Sequence, residues 1–280
     1  MLSGLKKLLQ ALRRKRGPSV ENLLTQLTSA DARVRWEAAG ALAAHCDQPA
    51  VTTALVEALG DPHPFVRWQA GDSLTHCQNE QLYPLLEAAL SGRDSRRRSS
   101  SADVLGRLGD KQAVGALCKA LTSRNAQVRC SAAEALARLA DPAALRALMK
   151  ALDDKDLQVR RAIVGALGST GDHVASPVLS KLLEDEHALI RASAAEALGR
   201  LADPSAVEAL QRALTDSDPG VRWYAGRALG IIGDASSVLV LDALLQDETE
   251  ILGRSIGEVA REAIESIKRR QQKQAPERSA

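Results

Sequence analysis

The stretch DPAALRALMKALDDKDLQVRRAIVGALGSTGD, residues 141–172, contains one complete copy of the unit from which the chain is built. Its apolar residues recur at helical spacing on both sides of a polar turn that holds Asp153, Asp154 and Asp156. In the second segment, apolar residues lie one before and three, six and seven after Arg160, which places them on one helical face. The stretch therefore predicts two antiparallel helices joined by a short turn.

The arginine of this unit recurs along most of the chain. Successive copies are 31 residues apart after a first interval of 32, and they are Arg35, Arg67, Arg98, Arg129, Arg160, Arg191 and Arg222. One helix pair cannot bury its own apolar face, so the pairs must stack on one another. We predict an all-α fold, a right-handed α-α superhelix (solenoid) of about eight two-helix repeats, over residues 18–270.

Further residues repeat with the same period and mark where the helices begin and end. An Asp precedes each new apolar run and is predicted to cap the first helix, as at Asp110, Asp141, Asp172, Asp203 and Asp234. A glycine near the end of the second helix favours close packing or chain reversal, as at Gly106, Gly168, Gly199 and Gly230.

The composition agrees with stacked helices. The chain of 280 residues is 45% hydrophobic but only 2% aromatic, so its core must consist of Leu, Ala and Val. Such short side chains let helices approach closely, whereas a β-sandwich would use more aromatic and β-branched residues. The charged fraction of 26% excludes wholesale disorder. No run approaches the ~20 apolar residues of a membrane span.

The repeat resembles the HEAT repeats, specifically the HEAT-like subtype named after phycobilisome (PBS) lyases. The similarity covers residues 18–250 and is carried by the unit quoted above. The resemblance implies an armadillo-like helical solenoid whose second helices line a concave face. The resemblance implies a binding function more than a catalytic one, because members of the family mainly provide surfaces that bind other molecules.

The recurring arginines, here called the Arg rung, have two interpretations. They could form an anion-binding track, or they could brace the stack by binding aspartates in the turns between helices. The second interpretation is favoured because acids stand six residues before several of them, namely Asp61, Asp154, Asp185 and Asp216. The third repeat departs from this pattern, with Gly92 in place of the acid and Arg97 in place of an aliphatic residue.

All three tryptophans of the chain follow a rung arginine directly, at Trp36, Trp68 and Trp223. Exposed aromatic residues with charged neighbours are common anchors in protein interfaces, although these tryptophans could instead fill space between adjacent second helices. The predicted partner-binding residues on the concave face are Trp36, Trp68, Trp223, Tyr224, Asp72 and Arg227.

The two ends of the chain are basic and its middle is acidic. Residues 1–20 carry six basic residues and no acid, and residues 268–280 carry a net charge of +4. Since the whole chain carries +2, residues 21–267 carry −8. Residues 1–17 are predicted as a basic amphipathic helix, with three functions open: capping the first repeat, binding an anionic membrane surface or a partner through residues 1–16, or targeting. Residues 271–280 are predicted as a disordered basic tail.

The four cysteines do not suggest a disulfide framework in a chain of this length, and they predict a reducing, cytoplasmic location, with peripheral membrane binding left open. The pairs His45-Cys46 and His76-Cys77 invite a zinc interpretation, but an extra residue in the first repeat shifts their register. We therefore predict no metal and no cofactor.

No catalytic motif appears in the sequence: it lacks a Gly-rich phosphate loop, a nucleophile elbow and the His-Glu steps of hydroxylase relatives. The leading hypothesis is a non-catalytic scaffold or adaptor that binds another protein on its concave face. The resemblance leaves an alternative, a subunit of a bilin chromophore lyase or isomerase. Nucleic-acid binding is disfavoured because the body of the chain is acidic.

Overall fold

The computed structural model describes residues 18–274, and this range contains sixteen α-helices arranged as eight consecutive pairs. The chain divides into a first unit that ends at Leu108 and a second unit that begins at Gly109. The fold is all-α, a repeat superhelix of helix pairs, as the sequence predicted.

The first unit contains three helix pairs. They are α1 (Val20–Gln26) with α2 (Ala32–Leu42), α3 (Pro49–Ala58) with α4 (Pro64–Thr75), and α5 (Leu82–Ser91) with α6 (Ser95–Leu108). The second helices α2, α4 and α6 pack side by side, and the first helices contact one another less. Leu42, Leu74 and Leu105, each seven residues after a rung arginine, are fully buried between the layers.

The second unit contains five helix pairs. They are α7 (Val114–Ala120) with α8 (Ala126–Leu139), α9 (Leu145–Lys150) with α10 (Leu157–Ser169), α11 (Ser176–Leu182) with α12 (Ala188–Leu201), α13 (Val207–Ala213) with α14 (Pro219–Ile232), and α15 (Ala235–Asp242) with α16 (Ile256–Gln274). A 3-10 turn precedes α7, α9, α11 and α13. The predicted Asp caps are confirmed, because Asp110, Asp141, Asp172 and Asp203 each accept the N–H two residues later.

The last pair differs from the others in its turn. Between α15 and α16 the chain forms a small antiparallel hairpin of β1 (Glu250–Ile251) and β2 (Arg254–Ser255), in which Ile251 pairs with Arg254. Helix α16 continues to Gln274, so residues 271–274 of the predicted tail are helical. The predicted N-terminal helix, residues 1–17, and residues 275–280 lie outside the described residues.

The glycines near the ends of the second helices serve packing, while chain reversal occurs a few residues later. A Cβ atom on Gly168 would lie 2.6 Å from the Cα atom of Ala197 in the next second helix. The left-handed backbone that reverses the chain is found at Gly109, Ala140, Gly171 and Ala202. Sequence reasoning left these two purposes open, and the structure separates them.

The sequence did not suggest a disulfide framework, but the structure pairs two of the four cysteines. Cys46 and Cys77 form a disulfide that links the first and second pairs of the first unit, with their Cα atoms 5.0 Å apart. The register argument missed this contact because it compared each cysteine with its own repeat position rather than with its spatial neighbour. Cys118 and Cys130 are free thiols.

None of the helices within residues 18–274 is long and apolar enough to span a bilayer.

Candidate functional site

An apolar cleft opens in the first unit where α2 and α4 begin. It encloses about 770 Å³ and is lined by the aromatic side chains of Trp36, Phe65 and Trp68 together with Arg33, His63 and Pro64. The three aromatic side chains are unusually accessible, with exposed fractions of 40% for Trp36, 67% for Phe65 and 58% for Trp68. Large apolar side chains that are exposed and clustered mark a binding surface more often than single exposed ones.

The local sequence explains why these side chains point away from the core. Val66 and Ala70 occupy the buried stripe of α4, so Phe65 and Trp68, which are three residues apart, share the opposite side of that helix. The ring of His63, the residue before α4, lies 5.6 Å from the ring of Phe65. Sequence reasoning found Trp36 and Trp68 by their shared repeat position and missed Phe65, whose i,i+3 spacing to Trp68 was the available signal.

Arginines stand on both sides of the aromatic residues in the repeat pattern. Phe65 lies two residues before its rung arginine, and the same position is occupied by Arg33 in the preceding pair and Arg96 in the following pair. Arg33 is exposed and pairs with Glu37 at 2.9 Å. Arg96 is also exposed, and its Nε atom lies 3.8 Å from Asp94. Arg33 is thus the arginine that lines the cleft, and its charge is balanced by Glu37.

Asp72 lies one helical turn beyond Trp68 and forms an ion pair with another helix. Its carboxylate accepts a hydrogen bond of 2.7 Å from Nη2 of Arg107, which lies on α6. Both side chains are partly exposed. Asp72 thus fixes α6 against α4 beside the cleft.

In the second unit, Trp223 is buried. The prediction that it is an exposed partner-binding residue is therefore corrected. Only 4% of it is exposed, because Ile256 and Val259 of α16 pack against it. Tyr224 meets it edge-on with ring centroids 4.9 Å apart, and the Arg227 guanidinium lies 4.9 Å above its ring. The hairpin insert explains the difference from Trp36 and Trp68, since Ile251 of β1 also packs on this cluster.

Three of the four rung arginines of the second unit bind an aspartate in the turn of the next pair. Arg191 donates from Nε and Nη2 to both carboxylate oxygens of Asp216, at 2.7 and 2.8 Å, and from Nη1 to the backbone oxygen of Asp185 in its own turn. Arg129 binds Asp154 in the same way, and Arg222 binds Asp247. These side chains are largely buried, so they are braces rather than an open anion track.

Arg160 differs from the other rung arginines of the second unit. Its Nη2 atom lies 3.4 Å from Nδ1 of His187 in the next turn, although Asp185 stands 25 residues after it, the spacing at which Arg191 reaches Asp216. Asp247 was not identified from the sequence as the partner of Arg222, because the last repeat departs from the pattern of the others. Its distance of 25 residues from Arg222 equals that from Arg191 to Asp216, and this spacing was the available signal.

The rung is uneven in the first unit. Arg35 binds both carboxylate oxygens of Asp61, at 2.7 and 2.9 Å. Arg67 donates from Nη1 to the backbone oxygens of Asp61 and Pro62, and Arg98 donates from Nε to that of Leu90. No carboxylate within residues 18–274 pairs with Arg67.

The free thiols do not suit nucleophilic chemistry. Burial, together with the charge of Glu134 and a hydrogen bond to it, raises the pKa of Cys130 to about 11. Burial also raises the pKa of Cys118. Both thiols therefore stay protonated at neutral pH, while a reactive cysteine needs its thiolate.

The helix pairs, their capped turns and the braced arginines define a helical-repeat protein. The model of the HEAT-repeat family matches residues 20–106, 98–168, 114–199 and 175–265, and the chain belongs to that family. No curated protein matches the chain.

Several solved structures are similar to the chain. An engineered protein is 25% identical with a TM-score of 0.50, over 89% of this chain and 78% of its own. The E. coli protein YibA is 17% identical with a TM-score of 0.63, over 90% of this chain and 93% of its own. The CpcE–CpcF complex of phycocyanin lyase from Nostoc sp. is 25% identical with a TM-score of 0.44, over 90% of this chain and 96% of the matched chain.

Proposed function

We propose that this protein is a non-catalytic scaffold that binds a protein partner through the cleft formed by Trp36, Phe65 and Trp68. The observation that carries the proposal is the accessibility of three large aromatic side chains around one cavity of about 770 Å³. Aromatic anchors in such clefts supply most of the energy of many protein interfaces.

The lining of the cleft indicates which kind of partner fits. An apolar segment would fill the cleft, because aromatic side chains line it and Arg33, the arginine in its lining, is already paired with Glu37. The partner we propose is therefore a protein segment that presents apolar side chains to Trp36, Phe65 and Trp68.

The proposal is tested by a photo-crosslinking amino acid placed at Phe65 in the source cell. A control carries the same amino acid at Leu239, a second exposed apolar residue (78%) far along the sequence in α15. We expect a discrete crosslinked protein from position 65 that is absent from position 239. Adding Trp68→Ala should remove it.

Once the partner segment is known, its affinity is measured by titration calorimetry. Trp68→Ala should weaken binding about 30-fold or more, as expected for a central anchor. Leu239→Ala should change the affinity less than twofold. Equal crosslinking from both positions, or unchanged affinity of Trp68→Ala, would contradict the proposal.

A further inference from the structure

The last helix of the second unit shows how one end of the repeat array is closed. All apolar side chains of α16 from Ile256 to Ile267 are buried, and every exposed position from Glu258 to Lys273 holds a charged residue or a glutamine. A helical-repeat protein needs a terminal element with a polar outer face, because its last pair has a neighbour on one side only. Helix α16 meets this need.

The first helix pair has no comparable cover within residues 18–274. Three of its apolar side chains are only half-buried, and they are Leu24, Leu27 and Val34. The residues 32 positions later, which occupy the same places in the second pair, are Val56, Leu59 and Val66, and all three are buried. The second pair contacts helix pairs on both sides, whereas the first pair contacts described helices on one side only. We call Leu24, Leu27 and Val34 the open end face.

Residues 1–17 directly precede this face and contain apolar residues that could cover it. Their leucines follow one helical face, at Leu2, Leu5, Leu8, Leu9 and Leu12. A helix of residues 2–16 would be about 22 Å long, whereas α2, with its 11 residues, is about 16 Å long. The segment is thus long enough to run along the whole first pair, and Gly17-Pro18 suits a reversal of the chain before α1.

The segment and the first unit carry charges of opposite sign. Residues 1–17 contain six basic residues and no acidic one, and residues 18–108 contain eight arginines, no lysine and eleven acidic residues. Glu21, in the first turn of α1, is one of these acids and is exposed. This difference in charge favours contact within one chain, while the basic segments of two copies would repel each other.

We propose that residues 1–17 form an amphipathic helix that packs its leucines on the open end face and turns its basic side chains toward the solvent. The first pair would then be covered on both sides, as the second pair is. Its outer surface would be polar, as that of α16 is. The proposal does not depend on the aromatic cleft and its test needs no partner, so either proposal can fail alone.

The test measures amide hydrogen exchange of the full chain, peptide by peptide, by mass spectrometry. In the test variant, Leu5→Asp and Leu8→Asp place carboxylates on the leucine face of the segment. In the control variant, Lys7→Asp and Gln10→Asp change the charge by more, but on the opposite side of the same helix. An effect of charge alone would therefore be larger in the control.

We expect the test variant to speed exchange in α1 and α2 by about tenfold or more, because the open end face loses its apolar cover. Exchange in α12 and α14 of the second unit should change less than twofold, and the control variant should exchange like the wild type. Leu24→Ala should speed exchange in α1 more in the wild type than in the test variant, where the contact is already lost.

Two other occupants of the open end face give different results. If a membrane took the leucines, the wild type but not the test variant would co-sediment with phosphatidylserine vesicles, and both would show the same exchange in α1 and α2 without vesicles. If a second copy covered the face, exchange in α1 and α2 would slow as the protein concentration rises. Either result, or equal exchange in the test and control variants, would overturn the proposal.

Discussion

Single glycines set how closely neighbouring second helices approach. Helix α10 contains two of them only three residues apart, with opposite surroundings. A Cβ atom on Gly168 would lie 2.6 Å from both Cα and Cβ of Ala197, whereas one on Gly165 would meet nothing within 4 Å. Close helix packing therefore requires glycine at position 168 but not at position 165.

The two glycines give a matched pair of substitutions. Gly168→Ala should lower the free energy of unfolding by about 1 to 3 kcal/mol, because the backbone of α12 must move away. Gly165→Ala should raise it by about 0.5 to 1 kcal/mol, since alanine is the better helix former. Urea denaturation of both variants measures the change in the free energy of unfolding. An equal loss of stability in both variants would contradict the prediction, because the two glycines would then have the same effect on helix packing.

At the scale of turns and helices, four arginines of the rung each join one helix pair to the next through one carboxylate, namely Arg35, Arg129, Arg191 and Arg222. Asp154 is typical: it binds Arg129 with its carboxylate and accepts from Nη1 of Arg160 with its backbone oxygen. Burial tends to raise its pKa, but the hydrogen bonds from Arg129 and from the N–H of Asp156, with the charge of Arg129, outweigh this effect and leave the pKa below its usual range. One residue therefore serves two successive arginines.

The lowered pKa of Asp154 predicts a pH-dependent contribution to stability. The carboxylate stabilises the fold fully above its unfolded-state pKa of about 3.9, and this contribution is lost as pH falls through the lower pKa of the folded state. Asp154→Asn should thus lower the free energy of unfolding by about 3 kcal/mol at pH 7, because it leaves Arg129 without its charge partner. The difference from the wild type should shrink as pH approaches 3.

The neighbouring Asp153 provides the control for this prediction. It is exposed in the same turn, so Asp153→Asn should change the urea midpoint little at either pH. If both variants lost equal stability at pH 7, or if the effect of Asp154→Asn did not depend on pH, the brace would not be electrostatic.

The helix pairs and their caps could be predicted from the sequence, whereas the exposure of each tryptophan and the disulfide could not. The 31-residue period determined the helix pairs and their caps, because spacing along a helix directly fixes which residues share a face. The same period could not show which tryptophan is exposed, since Trp223 is covered by residues of α16 and of a hairpin that stands in the turn of the last pair alone among the described repeats. The disulfide escaped for a similar reason: Cys46 and Cys77 meet across two repeats at positions that the period does not align.

For the whole molecule, the two units differ in how many interactions support them. The second unit has five helix pairs and three aspartate-braced rung positions, at Arg129, Arg191 and Arg222. The first unit has three pairs and one such brace, at Arg35, while Arg67 donates only to backbone oxygens among the described residues. In repeat proteins, stability is roughly the sum of the pairs and their interfaces. The first unit should therefore be the less stable once the Cys46–Cys77 link is reduced.

This difference predicts that unfolding is not a single transition in the presence of a reductant. In the double variant Trp36→Phe, Trp68→Phe, both substitutions fall on exposed side chains and the remaining indole, Trp223, reports on the second unit alone. Circular dichroism reports on the helices of both units, so its urea transition should begin before the fluorescence of Trp223 changes. Without reductant the two curves should move closer, because a cross-link closing a loop of about 31 residues is worth about 3 to 4 kcal/mol. Superimposable curves under reducing conditions would instead mean that the chain unfolds as one cooperative body.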